Sequence, residues 1–152
     1  MLKVNIVCVG NLKDKFFIEA SEEYIKRLSR FCSLKITELK EFNNLTNIQE
    51  IKQQEGELIL KSIKGYSILC DVNGKQIDSQ TLASDIESIS LSNSEISFII
   101  GGSYGVSDDV KNSVNKIISI SKMTFPHRLF RIMLLEQIYR AFTIINNISY
   151  HK

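Results

Sequence analysis

The stretch Ile96-Ser97-Phe98-Ile99-Ile100-Gly101-Gly102-Ser103-Tyr104-Gly105 decides how this chain folds. Its first half is a short, nearly continuous apolar run, the pattern of a strand covered on both faces, as in parallel sheets. The paired glycines stop the strand. A helix is expected from about Ser107, with Asp108 and Asp109 suited to its positive end. The same strand–turn–helix grammar repeats on both sides. Upstream, Leu2–Val9 is rich in β-branched residues and stops at Gly10, then Phe16, Phe17, Ala20, Tyr24 and Leu28 recur at helical spacing. Leu34, Ile36 and Leu39 mark a second strand, and Ile48, Ile51, Leu58, Ile59 and Ile63 a weaker helix with Gly56 in its middle. Tyr66–Val72 predicts a third strand closed by a turn at Asn73-Gly74, and Asp78 or Ser79 caps a helix carrying Leu82, Ile86 and Ile89. Downstream, Ile117–Ile120 is a fifth strand, and Pro126 opens a last helix running to about Asn146. Alternating strands and crossover helices predict one α/β domain over residues 1–152, a mainly parallel sheet with helices on both faces.

Composition narrows the class. With 152 residues, 43% apolar and 24% charged, the chain has the make-up of one globular domain rather than a disordered, collagenous or coiled-coil segment. No apolar run approaches the ~18–20 residues needed to span a membrane, and the first residues do not form a cleavable leader, so a cytoplasmic location is expected. Cys8, Cys32 and Cys70 are odd in number, widely spaced and set among apolar residues, which reads as reduced buried thiols. Neither a His-Glu-x-x-His nor a Cys-x-x-Cys pattern occurs, so no metal is expected.

Charge is unevenly distributed. Residues 1–110 carry 12 basic and 16 acidic side chains, whereas residues 111–152 carry seven basic ones against Glu136 alone. That asymmetry suits a face for a polyanion, although scattered solvated charges would give the same count. The last helix is apolar around most of its circumference, from Leu129 to Ile145. A helix at the end of a small domain buries one stripe against its own sheet, so the remainder predicts a second copy of the chain across a two-fold interface, with Ile138 as a test position. The alternative is a helix wholly inside the protomer core.

Gly101-Gly102-Ser103-Tyr104-Gly105 matches neither the G-x-G-x-x-G dinucleotide fingerprint nor the phosphate-binding G-x-x-x-x-G-K-S/T loop. Its place at the carboxyl end of a strand is the stronger signal, because ligands of open α/β sheets bind there. Glycines would let the backbone approach a ligand, so a Val at Gly101 is expected to fill ligand space without disturbing the fold. Cys70–Gly74 and Ile120–Phe125 leave strands in the same direction, and the three loops together can wall one pocket. Two histidines are available, His127 within Phe125-Pro126-His127-Arg128 and His151 within the terminal Tyr150-His151-Lys152.

These motifs carry a resemblance. Val9-Gly10 with Leu12-Lys13-Asp14-Lys15, Ile99–Gly105, Ser121-Lys122-Met123-Thr124-Phe125-Pro126-His127-Arg128, Glu136-Gln137-Ile138-Tyr139-Arg140-Ala141 and Tyr150-His151-Lys152 occur in register along the whole chain. The sequence resembles the ribosomal RNA large subunit methyltransferase H family of the SPOUT class, with Cys70 and Tyr104 departing from the usual residues. The resemblance implies a C-terminal trefoil knot, a homodimer, and S-adenosylmethionine bound in the knot loops. It further implies methylation of N3 of a pseudouridine in 23S ribosomal RNA of the assembled ribosome. Carried over by motif position, cofactor contacts fall on Cys70, Gly101 and Ile120, Ser121, Lys122, Met123, Thr124 and Phe125, with Gly102 and Gly105 beside them. A proton must leave N3, and His151 is the candidate acceptor with Tyr150 orienting the base; Arg128, Arg131, Arg140 and Lys152 are candidate RNA contacts. Two rivals remain at this point: a non-catalytic RNA- or ribosome-binding α/β module, and a nucleotide-binding enzyme using the glycine loop for phosphate.

Overall fold

The computed structural model describes residues 1–152. Five strands, β1 (Lys3–Val9), β2 (Ser33–Leu39), β3 (Tyr66–Gln76), β4 (Glu95–Ile100) and β5 (Lys116–Ser119), form one sheet in the order β2-β1-β4-β3-β5. Every pairing is parallel. Helices α1 (Lys15–Leu28), α2 (Ile48–Ser62), α3 (Ser79–Ser90), α4 (Asp108–Ser113) and α5 (His127–Ile145) make the connections and the C-terminal layer.

The period-two alternation of β1 sorts the two layers. Val4, Ile6 and Cys8 face the larger core, where Leu28 of α1, Leu82, Ala83 and Ile86 of α3, and Leu134, Leu135, Ile138 and Ala141 of α5 close over them. Val7 and Val9 face the opposite layer, where Ile59 of α2 and Val110 of α4 pack on Leu69 and Ile99. Helices therefore cover both faces of a parallel sheet, as the alternation of strands and crossover helices in the sequence predicts. No helix is long and apolar enough to cross a membrane.

Caps define the helix starts. Asp78 accepts from the Thr81 amide at 2.7 Å, Asn47 from Glu50 at 3.2 Å and Ser107 from Val110 at 3.4 Å, each holding an amide that the first turn leaves without a partner. Of the two cap candidates for α3, Asp78 is the one used.

Three expectations are corrected. The third strand does not end at Asn73-Gly74: it bulges between Cys70 and Lys75 and resumes against β5 as far as Gln76. Gly74 permits this, because a Cβ there would lie 2.8 Å from the Ile118 carbonyl carbon. Ile138 is fully buried within the protomer, so it reports on the core and not on a subunit interface. Most of the apolar surface of α5 is likewise consumed internally, against α1 and α3. What remains is a narrow stripe of Leu129, Ile132 and Met133, three and four residues apart, outside both core clusters. Arg131, a candidate RNA contact, is 3% exposed; its guanidinium donates to Glu38 at 2.7 Å and to the Gly10 carbonyl at 3.0 Å. It is a structural tie between α5 and the ends of β1 and β2, with no surface to offer a phosphate.

Candidate active site

Register explains why the loops meet. Cys8 and Ile100 are partners across β1 and β4, Ile100 and Cys70 across β4 and β3, and Cys70 and Ile118 across β3 and β5. The carboxyl ends of β1, β4 and β5 thus lie in one row with Cys70, where β3 stops pairing with β4 and bulges. Between these exits is a cavity of about 1090 Å³. Its floor is Leu69, Cys70 and Ile100; Gly101–Val106 form one wall, Ser119–Ser121 and Met123–Phe130 include much of another, and Asp14 and Phe17 approach from α1.

The cavity collects Cys70, Gly101, Gly102, Gly105, Ile120, Ser121, Met123, Thr124 and Phe125 from the candidate cofactor contacts. Lys122 of the same run is exposed and does not line it. The loop after β5 is held by Ser121, whose hydroxyl accepts from the Met123 amide at 3.0 Å while its carbonyl accepts from the Ser119 hydroxyl at 2.8 Å. Burial, with the Asp71 carboxylate adding, pushes the Cys70 thiol up to about 12, so Cys70 contributes an apolar wall rather than a nucleophile.

The glycines act differently from the sequence expectation. A Cβ on Gly101 would meet Val106 Cγ1 at 2.7 Å, and one on Gly102 would meet Glu55 Oε1 at 2.7 Å. Both would collide with protein packed against the loop. A Gly101→Val change therefore deforms the loop itself instead of merely filling ligand space. Gly105 is needed for its backbone, which sits at φ +81°.

His127 lies in the first turn of α5 at the cavity wall, and its buried Nε2 has no hydrogen-bond partner. Burial, and then the nearby Arg128 cation, pulls its pKa down, so the ring is neutral at physiological pH. Arg128 also lines the cavity, but its Nε donates to the Asn11 carbonyl at 2.9 Å and its terminal nitrogen lies 3.6 Å from Glu41.

The C-terminal residues do not reach this cavity in their own chain. Tyr150 donates to Glu136 Oε1 at 3.0 Å and meets the Tyr139 ring edge-on at 4.9 Å between centroids. Arg140 donates to the same carboxylate oxygen at 2.6 Å and lies over the Tyr150 ring. Burial, then the hydrogen bond to Glu136, pushes Tyr150 up to about 12, so its phenol keeps its proton. His151 Nδ1 lies 3.2 Å from Arg140. A guanidinium has only donors, so Nδ1 is the acceptor and a neutral ring here carries its hydrogen on Nε2. Lys152 is exposed. Tyr150 is thus packed on α5 through Glu136 and Tyr139, while His151 and Lys152 remain exposed; Glu136 lies three and four residues beyond Met133 and Ile132, on the helix face of the stripe.

Sequence reasoning missed Asp14, Phe17, Phe130, Lys52 and Lys111 as cavity residues. Phe17 and Phe130 read as apolar helix positions, Lys111 as one charge of the basic C-terminal third, and Lys52 carries no local signal. Only their convergence in three dimensions distinguishes them.

Comparison with known proteins agrees with the geometry. A family model described as predicted SPOUT methyltransferase matches residues 2–151. A protein of Fusobacterium nucleatum named ribosomal RNA large subunit methyltransferase H is 47% identical, over 99% of this chain and 100% of the relative. Proteins of the same name from Caldicellulosiruptor saccharolyticus and Clostridium botulinum are 46% and 48% identical, over 98% and 99% of this chain and 99% and 100% of theirs. Among solved structures, a probable methylase family protein from Haemophilus influenzae superposes with a TM-score of 0.56 at 12% identity, over 98% of this chain and 70% of that one. The tRNA (m1G37) methyltransferase of Aquifex aeolicus gives 0.53 at 14%, over 91% and 69%. These two likenesses are of fold alone.

Proposed function

The chain belongs to the SPOUT methyltransferase family, and on that premise we propose that residues 1–152 form one cytoplasmic methyltransferase domain that works as a homodimer. Its substrate in this reading is ribosomal RNA of the large subunit, methylated at N3 of a pseudouridine in the assembled ribosome. The observation that carries the proposal is the cavity of about 1090 Å³ at the aligned ends of β1, β4 and β5 and the bulge of β3, combined with near-half identity over the full length of relatives named for that activity.

The cavity suits S-adenosylmethionine. It matches the ~300–1,000 Å³ scale of small-ligand sites, and it pairs apolar walls with loops whose backbone groups can recognise an adenine edge. Leu69, Cys70, Ile100, Ile120 and Phe125 would enclose the nucleoside, with Gly101–Gly105, Ser121, Met123 and Thr124 placing backbone amides and carbonyls around it. When bound, the cofactor supplies a methyl group from its sulfonium. The chain's own contribution is positioning: it holds the acceptor in line, keeps water out and takes charge of the N3 proton.

For that proton, His151 remains our assignment, delivered to the cavity of the partner subunit rather than its own. The stripe of Leu129, Ile132 and Met133 beside the tail supports a two-fold contact on this face. Release of Nδ1 by Arg140, as the guanidinium turns to an RNA phosphate, would free the ring to accept a proton. Tyr150, held by Glu136, orients the base, and Arg128 and Lys152 remain candidate phosphate contacts.

Calorimetric titration with S-adenosylhomocysteine, ATP and NAD tests the assignment. Binding of S-adenosylhomocysteine alone is expected. Binding of ATP or NAD in its place would move the chain to nucleotide chemistry, and RNA binding without any cofactor affinity would make it a non-catalytic module.

A further inference from the structure

Seven Lys and Arg residues are at least partly withdrawn from solvent: Arg27, Lys52, Lys111, Lys116, Arg128, Arg131 and Arg140. Five of them are ion-paired, to Glu23, Asp85, Glu41, Glu38 and Glu136 respectively for Arg27, Lys116, Arg128, Arg131 and Arg140. Lys52 and Lys111 are the two with no carboxylate within 4.0 Å, and both line the large cavity. Two ammonium-bearing side chains on a cavity wall without a counter-charge of their own make an anion delivered by a ligand the natural complement.

Their convergence is built into the fold. Gly56 is buried where α2 crosses the start of α4, and a Cβ there would lie 2.6 Å from the Ser107 hydroxyl. The close approach lets Lys52, one turn before Gly56, and Lys111, one turn after Ser107, flank the same wall. At the tip of the glycine turn, between the paired Gly102 and Gly105, stands Tyr104. It is 54% exposed, lines the cavity, stacks on no other ring and makes no side-chain hydrogen bond within the chain. The acids of α4, Asp108 and Asp109, are exposed and pair with neither lysine.

We infer that Lys52, Tyr104 and Lys111 form a holding wall for unpaired nucleotides of the RNA substrate, the phenol ring stacking on a base and the two ammonium groups taking its flanking phosphates. An exposed aromatic between unpaired cations is the combination by which single strands are held, since every base has a face to stack and every nucleotide a charge to neutralise. The inference rests on the reading of the cavity as an RNA methyltransferase site. It extends the RNA contact beyond the basic C-terminal third, from Lys111 on α4 to Lys52 on α2 and Tyr104 on the loop leading into α4.

The test uses the full chain, a labelled single-stranded RNA oligonucleotide, large ribosomal subunits and S-adenosylhomocysteine. Tyr104→Ala should weaken oligonucleotide binding by about 5- to 150-fold, the equivalent of one lost stacking contact, while Tyr104→Phe keeps it. Lys52→Gln with Lys111→Gln should lower the slope of log affinity against log salt by about 1.4, since each phosphate contact on a single strand contributes about 0.7. S-adenosylhomocysteine affinity should be unchanged in all of them, and the KM for subunits should rise. Wild-type RNA affinity and salt slope in these variants would overturn the inference. So would a loss confined to cofactor affinity, which would assign the lysines to a carboxylate of the cofactor. Failure of the wild-type protein to bind S-adenosylhomocysteine or methylate subunits would instead count against the methyltransferase reading, and the oligonucleotide measurements would still decide the wall.

Discussion

Replacing Arg131 by Ala should destabilise the protein and leave its intrinsic RNA contacts intact. The guanidinium is 3% exposed and makes two charge-assisted hydrogen bonds, to Glu38 Oε2 at 2.7 Å and to the Gly10 carbonyl at 3.0 Å. Loss of the buried bond to the carbonyl costs about 1.5–3 kcal/mol. Glu38 is 43% exposed and regains water when its partner goes, so its share is the ~0.5–1 kcal/mol of a partly screened pair. Together these come to about 2–4 kcal/mol, and at about 2–4 °C per kcal/mol for a domain of this size the midpoint should fall by about 5–15 °C. Urea unfolding at two salt concentrations, with circular dichroism as the probe, gives the number directly. At a temperature where the variant is folded, its RNA affinity and salt slope should match the wild type. A variant of wild-type stability that binds RNA weakly would show that Arg131 swings out to the substrate, and would refute the structural tie.

Other consequences follow from the same contacts. Met133→Glu or Leu129→Glu, on the free stripe of α5, should convert a dimer to a folded monomer by light scattering, whereas Ile138→Glu should unfold the chain. A wild-type monomer at micromolar concentration would remove the shared site. Because burial and the Arg128 cation hold the His127 pKa below its unfolded value of about 6.5, the folded state binds fewer protons there, and stability should decline as pH falls below about 6.5. His127→Gln should flatten that decline; an unchanged pH profile would place the acid sensitivity elsewhere. Deleting Tyr150–Lys152 should spare cofactor affinity but cut methylation by at least ~10²-fold, and full activity without the tail would exclude His151 as the proton acceptor.

The strands were legible because alternation in β1 is clean: Val4, Ile6 and Cys8 against Val7 and Val9 is a pattern that only a sheet covered on both sides uses fully. The helix caps were legible for the same local reason, since Asp78 and Ser107 act within three residues. The converging loops could be named from strand exits, but not their register, which pairs residues thirty apart or more in sequence. Long-range partners were the main blind spot. Arg131 looks like its basic neighbours until Glu38, 93 residues away, is brought beside it. Ile138 looks like any apolar residue of an over-apolar helix until α1 and α3 cover it. Conversely, Lys52 and Lys111 look like solvated charges until they prove to be the partly withdrawn cations left without a carboxylate. The Cys70–Lys75 bulge was hidden because Asn73-Gly74 normally signals a hairpin turn, and here a parallel strand resumes after it.

The central claim is methyl transfer to large-subunit RNA from a cofactor held at the carboxyl edge of the sheet. Incubating the protein with radiolabelled S-adenosylmethionine and ribosomes from cells lacking this activity, then digesting the large-subunit RNA to nucleosides, tests it most directly. The account predicts one labelled product, an N3-methylated pseudouridine, formed by the wild-type chain and lost when Gly101→Val deforms the cavity loop in a protein that still folds. Label on another nucleoside or on no RNA at all, or an undiminished yield from the Gly101→Val protein, would contradict it.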